Sequence, residues 1–443
     1  MTGADPALCT PSVADRRLVS VAPGKYVRAA AAWTVLLLVW ACVVLPAGTV
    51  AGVNVKFLLF GLAAIALVLD TLVNPGSPVA NIKNLLGLAL AVGAVMLGLV
   101  VALFREAVPL AHSIGSLQGF LATIGVAYVI VIAVARGTAS WKSVIRAFLY
   151  AVLVYSIVKI VIVGLVFTNL VGFAAVRSFF VEVFDYSFVS MLILPGVVRL
   201  QFINDVALPF ALMTLFVLRR PVWVPVGPLV SNVMVAAVLV AIALAFSRWL
   251  FFLTVVIAAL WLLLYAIRRA KTLLYATAFT SVVLAMGLAF VDLSRPLDAL
   301  VARFSSPGVE ASDAARAIQI EALLAEIARG PLLGMGLGAY APDVIQRASE
   351  PYSYEVQWLA VLLQLGVVGT SLLMVPLLGI VVSGARVPDA RAAAVLVCMT
   401  GLWLVSGFTN PYLISSTSGV VFAVLAILPF GLRASAARDR AAA

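Results

Sequence analysis

Charged residues, histidine and cysteine are all scarce in this chain. Asp, Glu, Lys and Arg make up 11% of it, against roughly a quarter in an ordinary soluble domain, and this excludes a soluble globular protein. The single histidine is His112, and the three cysteines are Cys9, Cys42 and Cys398. They are too few and too scattered to suggest a His/Cys metal centre or a disulfide framework. We therefore expect no metal and no other cofactor.

Apolar residues fill the space that charges leave, at 64% of the chain. They fall in runs of about 20 residues, the length that crosses a ~30 Å hydrocarbon core as a helix, and they lack the alternation of barrel strands. The sequence predicts an all-α, polytopic transmembrane bundle of about twelve spans. The predicted spans are Val27–Pro46, Asn54–Val73, Asn84–Phe104, Leu117–Ala135, Ser143–Phe167, Phe202–Leu218, Pro228–Ala245, Trp249–Ile267, Thr272–Val291, Val356–Val382, Ala392–Gly407 and Ile414–Leu432.

The net charge of +11 would suggest nucleic acid in a soluble protein, but here it orients the chain in a membrane, and we expect no nucleic-acid partner. Basic residues cluster in every second connection, which predicts cytoplasmic termini. The predicted organisation is a cytoplasmic tail 1–26, spans 1–9 within 27–291 with an outward loop 168–201, an outward loop 292–355, spans 10–12 within 356–432, and a cytoplasmic tail 433–443.

The second outward loop is the only long polar interruption between spans. Ser305–Gly308 predicts a turn, and Ser312 or Asp313 could cap a helix that Gly330–Pro331 ends. Apolar residues share one face of this predicted amphipathic helix at Ile320, Leu323, Leu324 and Ile327. In the first loop, the apolar run Tyr186–Val198 is too short to span, so we expect it to lie at the interface or re-enter.

The second loop also carries a motif. Arg316 is followed fifteen positions later by Pro331, then by the glycines Gly334, Gly336 and Gly338 and by Tyr340. Past it, Glu355 leads through Trp358 to Gly366–Gly369 in a span. With Arg199 and Arg248 at span ends, this pattern resembles the O-antigen ligase and O-antigen polymerase superfamily. A dinucleotide loop is a poor alternative for the glycines, because no strand precedes them.

The resemblance implies a GT-C-type glycosyltransferase of the bacterial inner membrane, working on its periplasmic face. The donor would be a glycan on undecaprenyl diphosphate and the acceptor a glycan or lipid hydroxyl, with a chain-length regulator as a further partner. Ligases of this superfamily commonly have His where this chain has Glu355, which favours a repeat-unit polymerase over a ligase. A transporter or flippase is the other class, but Lys159 is one of few charges within the spans.

The diphosphate leaving group calls for fixed positive charge, and an arginine fork can bind two phosphate oxygens. With the resemblance, this predicts Arg199, Arg248 and Arg316 as diphosphate ligands, Arg316 also acting in catalysis. The alternative for each is an interfacial arginine that reaches headgroups or pairs with a loop carboxylate, the interpretation we adopt for Arg347.

Attack by a hydroxyl requires a general base, and Glu355 is the candidate. It could equally cap the helix that follows it. The further candidates are Asp343, Glu350, Asp205 and Tyr354. Asp205 could instead pair with Arg199, and Lys159 could face a polar cavity or Tyr155. The aromatic residues that could stack on sugar rings are Tyr340, Tyr352, Tyr354 and Trp358.

Overall fold

The computed structural model describes residues 23–46, 49–75, 78–105, 108–186, 189–194, 197–218, 226–266, 306–348 and 350–442. Side chains are described in these ranges except at 23, 78–83, 189–194, 197–199, 265–266, 306–313 and 442. The α-helices of this part are α1 Pro23–Val44, α2 Val55–Val73, α3 Pro78–Arg105, α4 Leu110–Ala135, α5 Trp141–Phe167, α6 Phe173–Phe184, α7 Ala207–Val217, α8 Pro228–Ala245, α9 Arg248–Trp261, α10 Ser306–Ala328, α11 Gln357–Ala385, α12 Ala390–Ser406 and α13 Ser416–Ala442.

Eight helices among the described residues are long and apolar enough to cross a membrane. Three shorter apolar segments, Ile203–Val217, Arg248–Leu264 and Ala390–Ser406, coincide with further predicted spans. The predicted span Thr272–Val291 lies outside the described residues, as does the start of the second loop, 292–305. The helical, polytopic membrane class is therefore confirmed, and the count of twelve spans stays a prediction.

Two short antiparallel hairpins accompany the helices in the described part of the chain, which is otherwise helical as predicted. Strands β1 Thr49–Val50 and β2 Val53–Asn54 form the first, and β3 Val189–Leu194 pairs with β4 Val197–Gln201 in the second. The second hairpin is the apolar run of the first long loop, which also contains α6. Pairing satisfies the backbone groups of a segment that is too short to cross a membrane as a helix.

The largest buried cluster joins helices from both ends of the chain. Trp403 of α12 is fully buried and packs edge-to-face on Phe210 of α7, with ring centroids 5.1 Å apart. Phe422 of α13 lies 6.1 Å from the same indole. The C-terminal helices therefore pack inside the bundle and hold α7 in place.

Helix α11 is broken at Gly366, whose φ of +64° and ψ of −176° are not helical. The glycine-rich loop 331–338 fills the break with main-chain hydrogen bonds. These run from the N–H of Val367 to the Pro331 carbonyl (2.9 Å), from that of Val368 to the Leu332 carbonyl (3.1 Å) and from that of Met335 to the Leu363 carbonyl (2.7 Å). The loop thus replaces the helical bonds that the break removes, as a membrane helix requires.

The glycines of this loop are needed because its main chain touches other main chains. Gly334 has φ +76°, and a Cβ there would lie 2.6 Å from the Gly366 nitrogen. Gly336 and Gly338, at φ +102° and +80°, contact the main chain of Ala102 and His112 with equally little room. The expectation of tight bends at these glycines agrees with this geometry, since only glycine adopts such φ values without a side-chain clash.

Helix α10 is present as predicted but begins at Ser306, so Ser305–Gly308 is not a separate turn and neither Ser312 nor Asp313 is its cap. The packed face is also narrower than predicted. Leu323 and Ile327 are buried against the start of α11, whereas Ile320 and Leu324 are 38% and 49% exposed. Buried positions spaced by four residues form a strip too narrow to cover the neighbouring apolar side chains.

The helix break gives a stability prediction. Gly366→Ala should lower the free energy of unfolding by about 2 kcal/mol or more, because this backbone region is almost closed to residues with a Cβ and the methyl group would strike the glycine loop. Gly401→Ala in α12 is the control, since a Cβ there meets nothing within 4 Å. Thermal unfolding in detergent measures both, and equal stability of the two variants would contradict the account.

Candidate functional site

Helix α10 holds Glu355 by its side chain and its main chain. The Arg316 Nε donates to Glu355 Oε2 at 2.9 Å, and the Glu355 N–H donates to Gln319 Oε1 at 3.1 Å. Arg316 and Gln319 are three residues apart and therefore share one face of the helix. Gln319 is buried, whereas the Arg316 and Glu355 side chains are 22% and 37% exposed. The carboxylate is thus fixed in position but open to solvent.

The structure bears on the two roles left open for Glu355. The cap position of α11 is Val356, which makes no side-chain capping bond, and Glu355 precedes it. The Glu355 carboxylate instead bonds to Arg316. Glu355 thus makes no capping hydrogen bond that the structure shows, but its place directly before α11 still suits a carboxylate at the positive end of the helix dipole, and both roles stay predictions.

Tyr354 holds the loop together, which makes it a poor candidate for chemistry. Its side chain is buried, and its hydroxyl accepts a hydrogen bond from the Ala341 N–H at 2.7 Å. Burial raises the pKa of Tyr354 above its usual value. Burial, with a smaller contribution from Glu350, raises the pKa of Tyr352 to about 12. Both phenols therefore keep their protons at neutral pH, and neither is suited to act as a base.

A second polar cluster forms around Tyr412, in the connection 407–415 between α12 and α13. The Gln201 amide donates to the Tyr412 hydroxyl, and Ser247 Oγ lies 3.4 Å from the same hydroxyl. Gln201 ends β4 two residues after Arg199, and Ser247 directly precedes Arg248. The segments that carry both predicted arginines therefore meet at Tyr412. The side chain of Arg199 lies outside the described residues, and that of Arg248 is half-buried.

The same connection joins this cluster to Glu355. Gln357, two residues after Glu355, accepts through Oε1 a hydrogen bond from the Leu413 N–H at 2.7 Å. The Trp358 N–H donates to the Gly407 carbonyl at 3.0 Å, and its indole nitrogen donates to the Leu404 carbonyl at 2.6 Å. Both nitrogens of Trp358 are therefore hydrogen-bonded at this junction. Of the three tyrosines predicted to stack on sugar rings, Tyr340 and Tyr352 are partly exposed. Residues 407–415 thus lie between the arginine-bearing segments and the carboxylate.

Asp205 belongs to a different, buried network. Its Oδ1 accepts from Lys159 Nζ at 2.6 Å and from the Tyr155 hydroxyl at 2.7 Å, and all three side chains are nearly inaccessible to solvent. The partner that the structure describes for Asp205 is Lys159 of α5, whereas the side chain of the expected partner Arg199 lies outside the described residues. This pairing places Asp205 in the helix core, because a buried charge requires an opposite one at hydrogen-bonding distance.

The remaining predicted acids lie on the surface. Asp343 is exposed, and Glu350 accepts from Arg347 Nη1 at 3.4 Å, where both side chains are about half exposed. The Arg347–Glu350 pair agrees with the prediction that Arg347 pairs with a loop carboxylate. In the described residues no group of three or more His, Cys, Asp or Glu side chains could hold a metal ion.

Three residues near the site were not assigned a role from the sequence. His112 packs on Tyr340 and Tyr352, with ring centroids 5.5 and 6.3 Å apart, although it lies in the first turn of α4, far from them in the chain. The buried amide of Gln364 accepts from Ser116 Oγ and from the Gly338 N–H, and so fixes the glycine loop to α4. No short-range sequence pattern reports such contacts, because each joins residues that are far apart in the chain.

The third is Lys56, in the first turn of α2. It is 7% exposed and lies beside Cys42, whose carbonyl accepts from Thr417 just past the connection 407–415. An ammonium at this end of a helix opposes the helix dipole. The sequence suggests only its side of the membrane, since a buried position cannot be inferred from a lysine at a span end.

Residues 233–374 match the protein family described as O-antigen ligase. The match covers less than half of the chain and shows that this segment is similar to that family. The predicted resemblance to the O-antigen ligase and polymerase superfamily is thereby confirmed. The matched O-antigen ligase segment contains Arg248, α10, the glycine loop, Glu355 and the break in α11, whereas Arg199 precedes it. No curated protein sequence matches the chain.

The buried pair gives a second stability prediction. Lys159→Met should cost about 3–5 kcal/mol of stability, because it leaves the Asp205 carboxylate buried without its counter-charge. The double variant Lys159→Met/Asp205→Asn should recover much of that loss. Thermal unfolding of the purified variants measures both. A double variant no more stable than Lys159→Met would contradict the pairing as the reason for the loss.

Proposed function

We propose that the protein is a metal-independent glycosyltransferase of GT-C-type architecture with about twelve spans. It moves a glycan from undecaprenyl diphosphate to a sugar hydroxyl at the periplasmic face of the inner membrane. The match to the O-antigen ligase family supports this class of activity. The main observation in support of the site is that the connection 407–415 bonds on both sides. It bonds to Gln357, two residues after Glu355, and through Tyr412 to the segments that carry Arg199 and Arg248.

In the proposed reaction the acceptor oxygen attacks the anomeric carbon of the donor sugar. The bond from that carbon to the diphosphate oxygen breaks, and the diphosphate keeps the electron pair. Glu355 takes the proton of the attacking hydroxyl. Arg199, Arg248 and Arg316 stabilise the negative charge that grows on the leaving group. The product is the lengthened glycan and undecaprenyl diphosphate.

The Arg316–Glu355 ion pair suggests how donor binding prepares the base. A guanidinium presents several donors and can bond a phosphate as well as a carboxylate. When the diphosphate arrives, it competes for Arg316, and the carboxylate becomes free to accept a proton. The partial exposure of both side chains allows this exchange without disturbing buried structure.

Of the two enzyme classes, we favour a polymerase, because this chain has Glu355 where ligases commonly have His. Transfer to a lipid acceptor by a ligase is the second candidate, and the description of the matched family as O-antigen ligase supports it. Purified protein supplied with donor alone should form a ladder of glycan lengths if it is a polymerase. A single addition to a lipid core, and no ladder, would assign the ligase instead.

The catalytic roles can be tested against a matched pair in the same loop. Glu355→Gln should lower transfer about a hundredfold with donor binding retained, since it removes the base. Arg316→Lys should also lower it about a hundredfold, because it keeps the charge but loses the fork. Glu350→Gln and Arg347→Lys, on the exposed pair, should leave transfer within about twofold. A folded Glu355→Gln protein with normal transfer would remove Glu355 from the mechanism, and Asp343 would be tested next.

The orientation has its own test in intact cells. In a variant without Cys9, Cys42 and Cys398, Gln346→Cys should react with a membrane-impermeant thiol reagent, whereas Arg438→Cys should react only after the cells are opened. Residues 346 and 438 are both exposed, so burial of the side chain cannot explain a difference in their labelling. Labelling of Arg438→Cys alone in intact cells would place the second loop in the cytoplasm and overturn the periplasmic assignment.

A further inference from the structure

A cavity of about 670 Å³ lies among α3, α4, α11 and α13. Its wall is largely aliphatic and aromatic, and typical members are Ile124, Tyr128, Leu373, Pro376, Ile427 and Phe430. Such a wall suits a hydrocarbon chain, because the burial of apolar surface is favourable. A wall of this kind gives polar groups few partners.

One end of the cavity carries positive charge. Arg386 follows the end of α11, and Arg433 in α13 donates to the Ser383 carbonyl at 2.8 Å and to Ser383 Oγ at 3.2 Å. Both arginines line the cavity. Of the described residues that line the cavity, none is Asp or Glu. Two like charges at the mouth of an apolar cavity repel each other, and a bound anion would relieve that repulsion.

The arginine end faces away from the candidate catalytic site. Helix α11 begins at Gln357, beside that site, and its part beyond the break at Gly366 runs on to Ala385, a rise of about 27 Å. An anion on Arg386 and Arg433 is therefore at the opposite membrane surface from Glu355 and Arg316. It cannot be the diphosphate of a donor that reacts at Glu355.

We propose that this cavity binds an anionic phospholipid, with its phosphate on Arg386 and Arg433 and an acyl chain along the apolar wall. Basic pockets between transmembrane helices recognise such headgroups by charge, and the chain adds apolar burial. The occupant combines a phosphate with a hydrocarbon chain, since neither part alone matches both the charged mouth and the apolar wall. The inference does not depend on the proposed transfer reaction.

The headgroup is tested by charge. Native mass spectrometry of the purified full chain should show phosphatidylglycerol retained at least about tenfold more than phosphatidylcholine, as two arginines near a lipid phosphate would give. Arg386→Gln/Arg433→Gln should abolish that preference. The control is Arg438→Gln/Arg440→Gln, which removes the same charge from the exposed end of α13 and should keep it. Equal retention of the two lipids by the wild type, or an unchanged preference in the first variant, would overturn the proposal.

The position of the acyl chain is tested by a substitution that fills the cavity. This keeps the proposal testable if the arginine variant does not fold. Gly379 lines the cavity, and a Cβ there meets nothing within 4 Å. Gly379→Leu should reduce phosphatidylglycerol retention about tenfold, because the larger side chain takes up space in the cavity. Gly93→Leu in α3 is the control, because its Cβ is equally unobstructed and does not line the cavity. Full retention by Gly379→Leu would refute the acyl site. Competition by glycerol phosphate as effective as that by the lipid would indicate a free-phosphate site and also refute it.

Discussion

The contact between the main chain of the glycine loop and the broken turn of α11 determines where the polar residues lie. A membrane helix can be interrupted only if its freed N–H and C=O groups find partners, and Pro331, Leu332 and Met335 supply them. This approach is possible because neither Gly334 nor Gly366 has a side chain. The loop is thereby fixed against α11, so that the residues that follow it return to Glu355 at the start of the same helix.

The Lys159–Asp205 and Arg316–Glu355 ion pairs differ in what they can do. Lys159 and Asp205 are 1% and 0% exposed, and separating them would leave a charge in an apolar interior at a cost of several kcal/mol. Arg316 and Glu355 are partly exposed, so water screens the separated charges and the pair is weak. Of these two pairs, Arg316–Glu355 is the one that suits the proposed exchange with an incoming diphosphate. Burial, rather than residue type, decides which carboxylate suits chemistry.

The sequence predicts most membrane helices and the amphipathic α10, because length and periodicity are local properties. It also indicates Arg316 and Glu355, but only through the superfamily motif. The second hairpin was not predicted, although Pro195–Gly196 within its apolar run is a turn signal. The Lys159–Asp205 pair and the contacts of His112 cannot be predicted from local sequence patterns, because helix packing brings these residues together. The glycines at 366 and 369 mark a turn, but their use as a docking point depends on the loop that fills it.

The apolar cavity and the candidate site share a wall. Trp358 and Leu413 line the cavity. The Trp358 N–H donates to the Gly407 carbonyl and the Leu413 N–H donates to Gln357, and these two bonds hold the connection 407–415 to the start of α11. The cavity lining continues on α11 beyond the break, at Leu373 and Pro376. A hydrocarbon chain in the cavity would thus contact both halves of the broken helix and the underside of the connection that bears Tyr412. Because packed interiors transmit small displacements, the position of the polar site depends on how this part of the membrane interior is filled.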